Sequence, residues 1–207
     1  LGLGVDHLSP YQLTIEPNTG FAGQVRRGGF DPRDDDHAAD LFDLTAEMTA
    51  DAGLPAYETS NHARPGGACR HNLLYWQYGS WIGVGPGAHG RPVLRDGQRQ
   101  ATANHRKPEV WLEAVEAHGI GLQEGRAVPA SEQAEEALMM GLRLSEGIKA
   151  GMFQARTGGQ VLADVIDANA WRRLADDGLV ETEGTVHRVS PRGRLLRNSI
   201  TRALPGA

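Results

Sequence analysis

The sequence predicts an α/β protein: a partial, open (β/α) assembly in the first half, followed by a small winged-helix-like α+β module. Three observations predict this. Strand-like, helix-like and strand-like segments alternate over residues 11–58, which is how parallel α/β sheets are built. Beyond residue 130 the pattern changes to short amphipathic helices. Near the C-terminus two alternating runs flank Gly184-Thr185, as a two-stranded wing would.

Residues 11–16, Tyr-Gln-Leu-Thr-Ile-Glu, alternate apolar and polar side chains up to Pro17-Asn18 and predict a strand. Asp34 then supplies a cap, and Leu41, Phe42, Thr45, Met48 and Ala52 recur at helical spacing up to Gly53, predicting a helix over 34–52. Residues 54–58 read as a second strand and 81–84 as a third. So few strands cannot close a (β/α)8 barrel, which takes about 200–250 residues. Asp96-Gly97 between short alternating runs predicts a hairpin over 91–102, and Pro108 opens a helix that stops at Gly119. A boundary is expected between about 104 and 130, dividing the chain into domains 1–105 and 106–207. Further helices are expected over 131–147, 149–156 and 168–177. A hairpin follows over 178–189, and a last helix begins at Ser190-Pro191.

Composition narrows the function. With 207 residues the chain can bury a real core, and a net charge of −5 gives no general attraction to nucleic acid or acidic membranes. One cysteine cannot form an internal disulfide, and no apolar run is long enough to span a bilayer, so a cytoplasmic setting is expected. The chain opens on Leu1 rather than Met, as the interior of a longer protein would.

Residues 57–90 concentrate the chemistry. They hold His62, His71 and His89, the single Cys69, Trp76 and Trp81 among many glycines, the mixture a ligand pocket uses. His71 and Tyr75 lie four residues apart, about 5–6 Å at Cβ on a helix. Both are haem-iron ligand types, with Trp76, Tyr78 and Trp81 nearby for stacking; a hydrogen-bonded structural pair is the competing reading. Gly83-Val84-Gly85-Pro86-Gly87-Ala88-His89-Gly90 permits either close ligand approach or a tight bend. It is a poor dinucleotide fingerprint, because Pro86 removes a donor. Asp34-Asp35-Asp36-His37 is better explained by helix capping than by metal binding. Glu58, Asn61 and His62 suit polar pocket contacts, with loop hydrogen bonding as the competing reading. Arg172, Arg173, Arg188, Arg192, Arg194 and Arg197 give the C-terminal module a basic face, diluted by Asp176, Asp177, Glu181 and Glu183.

Five blocks carry a family resemblance, and together they span nearly the whole chain. They are His7-Leu-Ser-Pro-Tyr-Gln-Leu-Thr-Ile-Glu-Pro17, Tyr57-Glu-Thr-Ser-Asn-His-Ala-Arg-Pro65, Cys69-Arg-His-Asn-Leu-Leu-Tyr-Trp76, Gly83-Val-Gly-Pro-Gly-Ala-His-Gly-Arg91 and Met140-Gly-Leu-Arg-Leu-Ser-Glu-Gly147. In this order they resemble the C-terminal portion of the HemW haem-chaperone family. That family lies within the radical S-adenosylmethionine superfamily and is related to oxygen-independent coproporphyrinogen III oxidase of porphyrin biosynthesis.

The resemblance implies the C-terminal part of a partial radical S-adenosylmethionine barrel followed by the wing-like domain. It implies haem binding through His71, Asn72 and Tyr75, with His71 on the iron, and S-adenosylmethionine contacts from Thr14 and His89. It further implies transfer of haem to an acceptor protein and no nucleic-acid role, and leaves open a membrane-associated acceptor and a homodimer. An oxidase-type radical enzyme is the alternative activity. Members of the superfamily hold a [4Fe-4S] cluster on Cys-x-x-x-Cys-x-x-Cys, which this chain lacks. The cluster and S-adenosylmethionine are therefore expected of a full-length protein, and radical catalysis is not expected of this chain alone.

Overall fold

The computed structural model describes residues 4–31 and 34–206, which form two compact units, one ending at Ala68 and the other starting at Cys69. In the first unit β1 (His7–Leu8) comes first, followed by α1 (Gly20–Arg26), α2 (Asp35–Asp51) and β2 (His62–Ala63). β2 pairs antiparallel with β1. α2 forms where its periodicity predicts. Asp34 caps it, accepting a hydrogen bond from the His37 amide at 2.8 Å, and Asp35 and Asp36 lie in the first turn, where the helix dipole favours negative charge. The acidic cluster is thus a helix start.

The strand expected over 11–16 does not form. Among the described residues it meets no pairing partner, and Tyr11 and Leu13 stand 79% and 59% exposed. Alternation indicates a two-faced segment, but only a neighbouring backbone makes it a strand. Residues 54–58 likewise contribute a single bridge, Ala56 to His62, and 81–84 another, Trp81 to Arg91. All pairings among the described residues are antiparallel, so the parallel connection expected across 11–58 is absent.

The second unit runs α3 (Arg70–Trp76), β3 (His89–Gly90), β4 (Gln100–Asn104), α4 (Pro108–His118) and β5 (Leu122–Ala127). The sheet order is β3-β4-β5, and the predicted hairpin turn at Asp96-Gly97 connects the loop after β3 to β4. α4 begins at Pro108 and stops at Gly119, as predicted, whereas β5 was not legible in the sequence.

Then come α5 (Ala130–Gly141), β6 (Ile148–Lys149), α6 (Ala150–Arg156), α7 (Leu162–Val165), α8 (Ala168–Asp176), β7 (Val180–Glu183), β8 (Val186–Val189) and α9 (Arg197–Ala203). β6 joins the predicted wing as a third strand, in the order β6-β8-β7. At the wing's end, Ser190 donates to the Gly178 carbonyl and accepts from the Gly193 amide, so a turn intervenes before α9. The principal apolar core lies in this unit. Leu138, Leu142, Phe153, Leu162, Ile200 and Leu204 are buried together, drawing α5 to α9 onto the wing. The structure thus has the mixed helix-and-sheet class that the sequence predicts.

Candidate functional site

The His-Asn-x-x-Tyr block occupies α3. A short helix places His71 and Tyr75 on one face, and their rings meet edge-on with centroids 4.8 Å apart and planes at 80°. Tyr75 in turn meets Trp81 at 4.8 Å and 65°, and Trp81 meets Tyr78 at 6.4 Å. The result is a chain of aromatic rings with an exposed imidazole at its outer end. Beside it Ile82 and Val84 stand 73% and 80% exposed.

The turn after α3 fixes this arrangement. The Gly79 amide donates to the Leu74 carbonyl at 2.7 Å and the Tyr78 amide to the Tyr75 carbonyl at 2.8 Å, closing the helix end. Tyr78 has φ 53°, a backbone conformation costly for a side-chain-bearing residue. Position 79 must be glycine, since a Cβ there would lie 2.4 Å from Leu74 Cδ1 and 2.8 Å from its carbonyl oxygen. Side-chain bonds offset the strain at Tyr78. Its hydroxyl donates to Glu136 at 2.6 Å, and the Arg99 guanidinium lies 4.1 Å from its ring centroid.

Three arginines clamp the same turn. Arg99 donates to the carbonyls of Gly79 at 2.7 Å and Tyr78 at 3.2 Å. Arg156 donates to the Gln77 carbonyl, and Arg91 grips Glu136 with bonds of 2.6–3.1 Å. Burial, and then the bond to Glu136, push the Tyr78 hydroxyl well above its ordinary pKa. Burial alone would raise Glu136, but hydrogen bonds from Arg91 and Tyr78 outweigh it and hold the carboxyl below its ordinary value. The glutamate stays ionised and the phenol stays neutral, so this cluster is scaffold for α3. The sequence offered Tyr78 only as a stacking ring, whereas the structure buries it against Glu136; its partners Arg91, Arg99 and Glu136 lie up to 58 positions away, and only folding unites them.

The glycine-rich loop is a tight bend. A Cβ at Gly83 would lie 2.8 Å from the His89 backbone, and Asn104 Nδ2 donates to the carbonyls of Gly83 at 3.3 Å and Gly85 at 2.9 Å. His89 is exposed at the start of β3. Thr14 is exposed on the irregular segment of the first unit. Asn72 follows His71 on α3 and is half-buried. Glu58 is buried and accepts from the Ser60 amide at 2.8 Å and from Asn61 Nδ2, while His62 Nδ1 lies 2.7 Å from Thr49 Oγ1. Glu58 and Asn61 thus make loop hydrogen bonds, and His62 bonds to α2.

Among the described residues no group of three or more His, Cys, Asp or Glu is placed to hold a metal ion. Cys69 alone cannot supply the thiolates of an iron-sulfur cluster. Haem makes a smaller demand, because its porphyrin supplies four ligands and the protein one or two axial donors. The exposed His71 beside Tyr75 fits that need.

Comparison with known proteins shows what the whole chain is similar to. Residues 128–196 match the model of the HemN C-terminal domain family. The heme chaperone HemW of Mycobacterium tuberculosis is 34% identical over 206 residues, covering 98% of this chain and 48% of that protein. The heme chaperone HemW of Escherichia coli is 37% identical over 198 residues, covering 96% of this chain and 49% of that protein. Over nearly its whole length this chain is similar to the HemW heme chaperones. Mouse radical S-adenosyl methionine domain-containing protein 1, mitochondrial, is 38% identical over 167 residues, covering 79% of this chain and 38% of its own length. The chain spans about half the length of the HemW relatives it matches. Its fold matches the radical SAM enzyme coproporphyrinogen III oxidase of Escherichia coli with a TM-score of 0.70 at 19% identity, over 98% of this chain and 48% of that one. That likeness is one of fold. No helix among the described residues is long and apolar enough to cross a membrane.

Proposed function

We propose that this chain is the haem-holding part of a haem chaperone. The observation that carries the reading is the exposed imidazole of His71, set edge-on against Tyr75 at the end of an aromatic chain that continues to Trp81. His71 coordinates haem iron, Tyr75 ligates it or hydrogen-bonds to its partner ligand, and Asn72 orients the pair. Trp81 and the exposed Ile82 and Val84 offer apolar surface to a flat macrocycle. The similarity to proteins named heme chaperones supports the same reading. An exposed ligand set suits a carrier, since handing haem to an acceptor protein requires that the bond be exchangeable.

In this reading residues 1–105 are the remaining part of the barrel and 106–207 the C-terminal domain. Thr14 and His89 contribute to the S-adenosylmethionine site of a full-length protein, whose iron-sulfur cluster rests on cysteines this chain lacks.

Hemin titration of the purified chain, followed by absorption, tests the assignment. A saturable one-to-one Soret shift that is lost in His71→Ala is expected. Equal spectra and affinities for the two proteins would refute the role given to His71.

A further inference from the structure

A cleft lies beside the glycine-rich loop. It encloses about 450 Å³ between β3, the end of β4 and the start of α4. His89, His105, Arg106 and Lys107 line it together with Asn104, and Glu124 is the sole carboxylate on its wall. None of those four basic side chains makes a hydrogen bond or ion pair among the described residues, although Glu124 shares the cleft.

The backbone shapes the cleft. β4 and β5 slip register between Ala103 and Asn104, so that Ala103 faces Glu124 while Asn104 faces Leu122, leaving Gln123 as the extra residue. Such bulges re-aim side chains, and here Gln123 joins the lining. Asn104 ties the cleft to the glycine-rich loop through Gly83 and Gly85, and the Gly87 amide donates to the His105 carbonyl at 2.8 Å. Arg106 Cα lies 3.7 Å from where a Cβ on Gly87 would stand, so the loop's lack of side chains there leaves room beside Arg106.

We propose that this cleft binds the oxyanion of a ligand, a carboxylate or a phosphate. Arg106 and Lys107 supply charge-assisted hydrogen bonds, His89 and His105 supply imidazole donors, and Asn104 and Gln123 frame the polar wall. The same chemistry has two sources, the propionates of a porphyrin or a phosphorylated ligand, and only the propionate source rests on the haem reading.

The test uses the full chain and the doubly substituted Arg106→Gln, Lys107→Gln protein, whose changes are on exposed side chains. Each is titrated calorimetrically with inorganic pyrophosphate, and by absorption with hemin and with hemin dimethyl ester. The substitution is expected to weaken one acidic probe by about tenfold or more, as losing charge-assisted hydrogen bonds does, and to leave the ester unaffected. Weakening of hemin alone assigns the cleft to carboxylates, and weakening of pyrophosphate alone assigns it to phosphates. Undiminished affinity for both overturns the proposal. If the unsubstituted chain binds no hemin at all, the haem reading fails and the pyrophosphate titration alone decides the cleft. His105→Ala provides an independent variant with the same expected direction.

Discussion

The two compact units solve the same problem of ordering a chain with different means. In the unit from Cys69 onward, an apolar core of residues such as Leu138, Leu142, Phe153 and Leu204 gathers five helices and a three-stranded wing. In the unit ending at Ala68, the fully buried positions are largely polar: Thr49, Glu58, Asn61 and His62. There α2 keeps Leu41, Leu44 and Met48 at 44–55% exposure. Hydrogen bonds contribute little net stability while apolar burial contributes most. The contrast therefore teaches that the second unit is the stable platform, and that the His71 to Trp81 aromatic chain is built on it.

Core truncation should show the largest difference. Leu142→Ala, at a residue with no exposure, is expected to cost about 2–5 kcal/mol in denaturant unfolding. Leu44→Ala, at 50% exposure in α2, should stay within about 0.5 kcal/mol. Similar losses at both sites would break the comparison. Glu136→Ala should come next, at about 1–3 kcal/mol, because it strands the Arg91 guanidinium and the Tyr78 hydroxyl, both half or more buried. It should also weaken hemin binding, since the turn that positions α3 loses its anchor; unchanged binding would show that α3 holds its place without it. Asp34→Ala removes the α2 cap and should cost about 1 kcal/mol, read out as faster amide exchange in the first turn of that helix.

The smallest effect is one of pH. Burial holds the His187 imidazole below its ordinary 6.5, so the unfolded chain takes up a proton that the folded wing resists. Its contribution is complete above pH 6.5 and declines as pH falls below that value. Glu136 adds a second loss in the same direction below its ordinary 4.5, where the folded carboxylate is forced to take a proton. Stability measured against pH should therefore fall on the acid side in two stages, and His187→Gln should flatten the first.

Much of this molecule was legible where local chemistry decides the outcome. The Asp34 cap, the Pro108 start and Gly119 stop of α4, the Asp96-Gly97 hairpin and the wing all follow from neighbouring residues. Residues 11–16 misled because alternation is necessary for a half-buried strand but a pairing partner must also be present. β5 escaped because Leu122–Ala127 has no apolar face, all six residues being exposed, and it is held by β4. For the candidate site, the His71 and Tyr75 spacing was readable as a helical pair, while the clamp of Arg91, Arg99, Arg156 and Glu136 depends on contacts between distant segments. The basic cleft had a local signal in Asn104-His105-Arg106-Lys107 just before a helix start, but its meaning needed the β4 bulge and the glycine-rich loop beside it.

Hydrogen–deuterium exchange of the full chain with and without stoichiometric hemin tests the central claim most directly. Slower exchange over residues 70–91, with residues 35–63 unchanged, is the expected result. Protection that appears in 35–63 and leaves α3 untouched would contradict it, and would move the haem site out of the second unit.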